Sequence, residues 1–178
     1  SADDLPEAAI LGEFLARRYP ASGGGKSGAK IAMASYSRMV SEGQGDVSFE
    51  RQKLVEIAQY IAARWAGQPE ADTAWMTLIG TAVRARELNV AMDYLSKIPL
   101  DAPKRGDAEQ VVGQLIWSEY LRRVRLPDEE RPPAEELDQL KSQAQKVLAD
   151  GLERVRKAGV AQMTPAIASS VLYLAQIY

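Results

Sequence analysis

Residues 72–103 constrain the fold of this chain more than any other stretch. Apolar residues there recur at helical spacing in two short blocks that are joined by a tight polar link. Residues around the stretch also repeat at a fixed distance. Tyr60 and Tyr94 are 34 positions apart, and the same distance separates Pro69 from Pro103. A two-helix unit repeated at this distance is typical of proteins in which helix pairs stack into a solenoid.

Apolar side chains at helical spacing predict eight helices along the chain. Asp4 is a capping carboxylate for the first helix, and Thr164 with Pro165 opens the eighth. No segment alternates polar and apolar residues for long enough to form a strand. The predicted fold class is therefore all-α. The apolar stripes expected on the two terminal helices are Ile10, Leu11, Phe14 and Leu15, and Ile167, Val171, Leu174 and Tyr178.

Glycine and proline predict where these helices stop. The glycines at residues 23–25 are expected to end the first helix, so that Ser27 caps the second. Between Phe14 and Tyr60 the distance is 46 residues, which exceeds the 34-residue period by 12. An insertion of 12 residues near the glycine turn at residues 43–46 would explain the difference.

The segment resembles the tetratricopeptide repeat, whose pattern is W-x2-L-G-x2-Y in a first helix, followed by A-x3-F and P in a second. Leu95 stands at the phenylalanine position, while Ile79 and Ala82 replace the usual glycine and tyrosine. Gly113 keeps the glycine of the next repeat. The residues that match the pattern outright are Trp75, Leu78, Ala91 and Pro103.

The resemblance implies a right-handed α-α superhelix of about eight helices, with three full helix pairs flanked by half repeats, in a single domain over residues 1–178. It also implies that first-type helices line a concave face, where such proteins bind a peptide or protein without catalysis. Trp117 has an alternative role as a packing residue that covers the long sixth helix or the proline loop at residues 127–133. The protein-binding residues expected on the concave face are Thr73, Met76, Arg84, Gln110, Gln114 and Trp117.

Two residue types that support much of protein chemistry are missing. The 178 residues contain neither histidine nor cysteine, which removes disulfides, thiolate metal sites and the commonest general base. We therefore expect no catalytic residue, no metal and no cofactor. The net charge of −2 gives no general attraction to nucleic acid. No run of about 18 apolar residues predicts a membrane span.

Two motifs resemble chemical sites but lack the required context. The sequence GGGKS at residues 23–27 ends like a phosphate-binding loop, but a helix rather than a strand precedes it. The arginine cluster at residues 122–125 is followed by acids at residues 128–130 and 135–136. We expect these charges to pair with one another on the surface rather than to bind nucleic acid or to catalyse proton transfer.

The sequence thus favours a non-catalytic protein-interaction scaffold over an enzyme. The alternative is a structural spacer that self-associates, because the terminal helices would carry apolar faces at Ile10, Phe14, Leu174 and Tyr178 without neighbours in the repeat stack. A homo-oligomer through the repeat ends would follow.

Both ends of the sequence suggest a piece of a longer protein, since it begins with Ser-Ala and ends inside an apolar helical pattern. The RRYP segment after the first helix resembles repeats in bacterial envelope-associated proteins. The compartment stays open between the bacterial envelope or periplasm and the cytoplasm.

Overall fold

A computed structural model describes residues 4–159 and 163–178 of the chain. Those residues contain eight α-helices and no strand, which confirms the all-α class. The chain divides into two compact units, the first ending at Thr81 and the second beginning at Ala82. The assembly of helix pairs into one superhelical domain stays a prediction. The helices are α1 (Leu5–Arg18), α2 (Gly23–Glu42), α3 (Ser48–Arg64), α4 (Pro69–Arg84), α5 (Leu88–Lys97), α6 (Arg105–Val124), α7 (Ala134–Lys157) and α8 (Pro165–Ile177).

Glycines bring α1 and α2 into backbone contact in the first unit. A Cβ atom added at Gly12 would lie 2.5 Å from the carbonyl oxygen of Gly28. Ala9 and Ala16 flank Gly12 on the buried face of α1. Such a close approach is open only to residues with little or no side chain, so the small residues decide which face of α1 packs.

The apolar stripe expected on α1 is exposed. Ile10, Leu11 and Phe14 are 57–63% exposed, and Leu15 is 39% exposed. Because α1 is apolar on more than one side, periodicity alone does not identify the face that packs. The exposure agrees with the alternative in which this face lacks a neighbour.

The glycines at residues 23–25 begin α2 rather than end α1. The Ser22 hydroxyl accepts a hydrogen bond from the Gly25 amide at 2.9 Å, so Ser22 rather than Ser27 caps the helix. A Cβ atom at Gly25 would overlap the carbonyl oxygen of Tyr19. The expectation fails because Gly25 is required for close backbone contact and not for breaking a helix.

The buried faces of α2 and α3 consist of apolar and aromatic side chains at helical spacing. Only residues 43–47, five in all, link the two helices. The 12-residue insertion expected near this turn is therefore absent from it, and α2 itself reaches 20 residues. The buried side chains include Ala29, Ala32, Met33 and Tyr36 of α2, and Leu54, Ile57, Ala58 and Ile61 of α3.

Tyr60 ties α3 to α1. Its hydroxyl donates a hydrogen bond to the Ala16 carbonyl at 2.8 Å. The guanidinium carbon of Arg17 lies 5.2 Å from the centre of the same ring, and Trp65 meets the ring edge-on at a centroid distance of 6.0 Å. Aromatic and cation–π contacts of this kind hold a ring in one orientation, so these contacts fix the relative position of the two helices.

Glycines also set the contact between α6 and α7 in the second unit. A Cβ atom added at Gly113 would lie 2.7 Å from Cγ of Leu148. Gly106 and Gly151 form a second close approach, since a Cβ atom at Gly151 would lie 3.1 Å from the Gly106 carbonyl oxygen. Gly113 is therefore required for the close approach of α6 and α7.

A buried carboxylate joins three segments of the second unit. Glu109 of α6 has a side chain that is only 4% exposed. It accepts hydrogen bonds from Arg105 at 2.7 Å and from Arg154 of α7 at 3.0 Å. Arg105 also donates to the Leu95 and Ile98 carbonyls at the end of α5, at 2.6 and 2.7 Å. The two arginines satisfy the buried charge and connect α5, α6 and α7.

The helix α8 packs on α6 and α7. Ser170 and Ile177 are buried, whereas Val171 and Tyr178 of the expected stripe are exposed. The Ser170 hydroxyl donates a hydrogen bond to Oε1 of the buried Gln110 at 3.4 Å. The exposure of Tyr178 agrees with the alternative in which this face lacks a neighbour, and the hydrogen bond gives the buried amide a partner on the packed side.

Candidate functional site

The predicted binding residues of α4 keep access to solvent. Thr73 and Arg84 are exposed and Met76 is half-buried. The Thr73 hydroxyl donates to the Pro69 carbonyl one turn back, at 3.0 Å, and so already has a partner in its own helix. These three residues stay predicted contacts for a partner protein.

The predicted binding residues of α6 are covered by α8. Gln110 is 1% exposed and Trp117 is 4% exposed. Gln114 donates to the Ala166 carbonyl at 3.2 Å, and Nε1 of Trp117 donates to the Gln176 side chain at 3.3 Å. Their role in binding another protein stays a prediction, but such a partner would have to displace α8. The burial of Trp117 supports the alternative in which it is a packing residue.

A groove of about 410 Å³ lies between α1, α2 and α3 in the first unit. Apolar side chains line most of it, and charged groups stand among them. We name it the phenylalanine groove. Its lining residues are Pro6, Ile10, Glu13, Phe14, Arg17, Tyr36, Met39, Phe49, Glu50 and Lys53.

Both phenylalanines of the chain lie on this groove. Phe14 is 57% exposed and Phe49 is 63% exposed. Burying a side chain of this size is worth roughly 1.5–3 kcal/mol, so leaving both rings in water forgoes a large stabilisation. Ile10 extends the same exposed surface along α1. A contiguous apolar surface of this kind marks an interaction site more often than an isolated exposed residue does.

Glu13 and Tyr36 form a polar floor beneath the exposed rings. The Tyr36 hydroxyl donates to Glu13 at 3.2 Å, and Nε of Arg17 donates to the other carboxylate oxygen at 2.8 Å. Burial, followed by the charge of Glu13, raises the pKa of Tyr36. The shift extends toward higher pH the range in which the phenol is protonated and donates its hydrogen bond. The floor is held in one arrangement before any partner arrives.

The charges on the rim of the groove are not all compensated. Lys53 pairs with Glu56 at 2.9 Å, and this hydrogen bond raises the pKa of Lys53. Within the described parts of the chain, no cation forms an ion pair with Glu50. The groove thus presents an apolar surface beside an uncompensated carboxylate, which favours a cationic group at that edge.

The sequence indicates only some of the residues that line this groove. It places Ile10 and Phe14 on a face without a neighbour, but it does not single out Phe49. A usable signal was present in α3, where Phe49 falls outside the buried series that begins at Leu54. A large aromatic residue that is out of phase with the buried face of its helix points into solvent.

The glycine-rich GGGKS segment forms the first turns of α2 and not a phosphate-binding loop. Its lysine, Lys26, donates to the Gln68 side chain at 2.7 Å. Lys30 on the next turn pairs with Glu70 at 3.0 Å. The cations near this helix start are therefore used within the first unit.

The arginine cluster pairs mainly with a carboxylate that sequence analysis does not name. Arg122 and Arg123 bind Glu119 at 2.6 and 2.7 Å, within the same helix. Of the acids expected as partners, Glu136 lies 3.7 Å from Arg123. The hydrogen bonds from Arg122 lower the pKa of Glu119 to about 2, against the opposing effect of burial, and Arg123 adds to the shift.

Replacing Glu119 with glutamine is expected to lower the free energy of unfolding by about 1 kcal/mol at pH 7. This figure is well below the value that the full pKa shift implies, because water screens the half-exposed Arg122. A pKa that is lower in the folded state stabilises above the unfolded value of 4.5 and ceases to do so as the pH falls toward 2. Urea denaturation at several pH values measures the difference between the two proteins.

The matched control is Glu42→Gln, which removes a carboxylate from the exposed pair with Arg38 and should change stability little. A difference between the parent and the Glu119 variant that stays constant from pH 7 to pH 2.5 would contradict the assignment.

Neither a metal centre nor a membrane span is found among the described residues. Those residues include no group of three or more acidic, histidine or cysteine side chains that could hold a metal ion. None of their helices combines the length and the apolar character that crossing a membrane requires. Comparison with protein-family models, curated proteins and solved structures gave no match. The resemblance to the tetratricopeptide repeat therefore stays a prediction.

Proposed function

We propose that this chain is a non-catalytic protein-interaction scaffold that binds an amphipathic segment of a partner protein in the phenylalanine groove. The observation that carries the proposal is the exposure of Phe14 and Phe49 on one groove. Aromatic side chains at the centre of a contact supply most of the binding energy in many interfaces. A helix that lays its apolar face into a groove is a recurrent way to use such a surface.

The chemistry of the groove specifies the occupant. A volume of about 410 Å³ accommodates a few large side chains, which would pack against Phe14 and Phe49. A lysine or arginine beside them would pair with Glu50, which has no cation in the described chain. The proposed ligand is therefore a helical segment with two or three large apolar residues on one face and a basic residue at their edge.

The proposal retains the wider expectation of tetratricopeptide-like pairs in a right-handed superhelix. It uses the phenylalanine groove rather than the α6 residues as the first docking surface, because α8 covers Gln110 and Trp117. The lack of histidine and cysteine in the sequence supports a role without catalysis.

Selection from a displayed library of helical peptides tests the proposal and does not require an identified partner. We expect the selected peptides to share large apolar residues at helical spacing beside a lysine or arginine. Replacing Phe14 and Phe49 together with alanine should weaken their binding at least about 30-fold, because each ring is an anchor worth more than about 1 kcal/mol. Isothermal titration calorimetry measures the change.

Two further variants separate the groove from general surface effects. Tyr178→Ala removes an aromatic residue that is 88% exposed in the second unit, and it should leave affinity unchanged. Glu50→Lys should disfavour a basic residue in the peptide and should select peptides that carry an acidic residue at that position. Peptides that bind the double alanine variant as tightly as the parent, or a library that yields no binder, would refute the proposal.

A further inference from the structure

A second groove, of about 510 Å³, lies between α7 and α8 in the second unit. Its apolar floor includes Leu152, Val171 and Leu174, and Arg156 stands on its rim. Within the described residues, Arg156 takes part in no ion pair. This groove therefore combines an apolar floor with a cation that lacks a counter-charge.

The helix beside this groove is apolar on its outer side as well. None of the thirteen residues of α8 is charged. Leu172 is exposed, and so are Ala168 and Ala175, one turn to either side. A helix that is apolar all round is normally covered all round, so α8 has the surface of a helix with one more neighbour than the described chain provides.

The first unit offers a surface of complementary character. Glu7, Leu11 and Leu15 follow one another at intervals of four residues along α1, and all three are exposed. They form a stripe next to, but separate from, the Ile10 and Phe14 stripe of the phenylalanine groove. No cation pairs with Glu7 among residues 4–159 and 163–178.

We propose that α1 of one copy docks in the α7–α8 groove of a second copy. Leu11 and Leu15 then cover the floor at Val171 and Leu174, and Glu7 reaches the unpaired Arg156. Apolar surface meets apolar surface, and the two uncompensated charges neutralise each other.

The two surfaces belong to different parts of the chain, so each contact is heterologous. Each tetratricopeptide repeat pairs a first helix with a second helix. In a chain of that kind, α8 would be the first helix of a repeat and α1 the second helix of another, and each would lack its partner helix. Docking completes that pair between two molecules. The inference does not depend on the phenylalanine groove, because its residues take no part.

Sedimentation equilibrium of the whole chain tests self-association directly. One helix in one groove buries less than the roughly 1,600 Å² of a standard interface, so we expect a weak, micromolar contact. The average mass should rise above the monomer value of 19.5 kDa as the concentration increases. Leu11→Glu should keep the mass at that of the monomer, and so should Val171→Glu.

Mixing the two variants gives the decisive result. The Leu11→Glu chain retains an intact α7–α8 groove, and the Val171→Glu chain retains an intact α1. The mixture should therefore form one-to-one dimers and nothing larger, whereas each variant alone stays monomeric. A mixture that stays monomeric while the parent self-associates would overturn the proposed pairing of surfaces.

A charge exchange tests the same contact with substitutions at exposed positions, which should not disturb folding. Glu7→Arg and Arg156→Glu should each weaken self-association, and the double variant should restore it. Phe49→Ala is the matched control and should leave the mass unchanged. A parent chain that is monomeric at every concentration, or a double variant no better than the singles, would refute the inference.

Discussion

Replacing Gly12 with alanine is expected to lower the free energy of unfolding by about 3 kcal/mol. The new Cβ atom would lie 2.5 Å from the Gly28 carbonyl oxygen and 2.9 Å from the Ala32 amide nitrogen. Both neighbours are backbone atoms, so α1 and α2 must move apart as rigid bodies to relieve the overlap. Urea denaturation followed by circular dichroism measures the loss.

Gly80 provides the matched control in the same unit. It lies inside α4, and a Cβ atom there would meet nothing within 4 Å. Gly80→Ala should therefore raise the free energy of unfolding by about 0.5–1 kcal/mol, since alanine forms helices better than glycine. If both alanine variants shifted stability in the same direction, close packing at Gly12 would not be the cause.

Replacing Glu109 with alanine is expected to lower the free energy of unfolding by about 3–5 kcal/mol. The change leaves Arg105, whose side chain is 13% exposed, without a counter-charge in the interior of the second unit. It also frees Arg154, which donates to the Leu100 carbonyl as well as to Glu109. Thermal or urea unfolding measures the loss.

Two further variants test whether the loss of stability comes from the buried ion pairs of Glu109. Glu153→Ala breaks an exposed pair with Lys157 and should leave stability nearly unchanged. Glu109→Gln keeps the shape of the side chain and part of its hydrogen bonding. Its loss of unfolding free energy should therefore fall between those of Glu153→Ala and Glu109→Ala. A loss below about 1 kcal/mol for Glu109→Ala would show that the buried charges are solvated in some other way.

The helices themselves were predictable, because hydrophobic periodicity identifies a buried face when the opposite face is polar. In α3 the series Leu54, Ile57 and Ile61 lies at helical spacing and is buried. Periodicity fails in α1 and α8 for one reason, namely that both helices are apolar on several sides. The face that packs is then selected by the partner, through the small Gly12 in one case and the hydroxyl of Ser170 in the other.

The roles of the glycines were only partly predictable. Gly43 directly follows the last residue of α2, at the glycine turn that the sequence places at residues 43–46. Gly12 and Gly28 act through contact with another helix, and no local pattern reports which backbone will approach. The same reason explains the phenylalanine groove, since Phe14 and Phe49 meet only after three helices have packed. The superhelical arrangement and the concave binding face stay predictions.

The hydrogen bonds of Arg105 make the C-terminal end of α5 depend on α6, which follows α5 in the chain. The helix has ten residues, fewer than the roughly 12–15 that an isolated helix needs in water. The Leu95 carbonyl and the carbonyl of Ile98, the residue after the helix, accept hydrogen bonds from Arg105, which belongs to α6. During synthesis, α5 therefore leaves the ribosome before Arg105 does, and its end gains these two hydrogen bonds only when α6 has emerged and folded beside it.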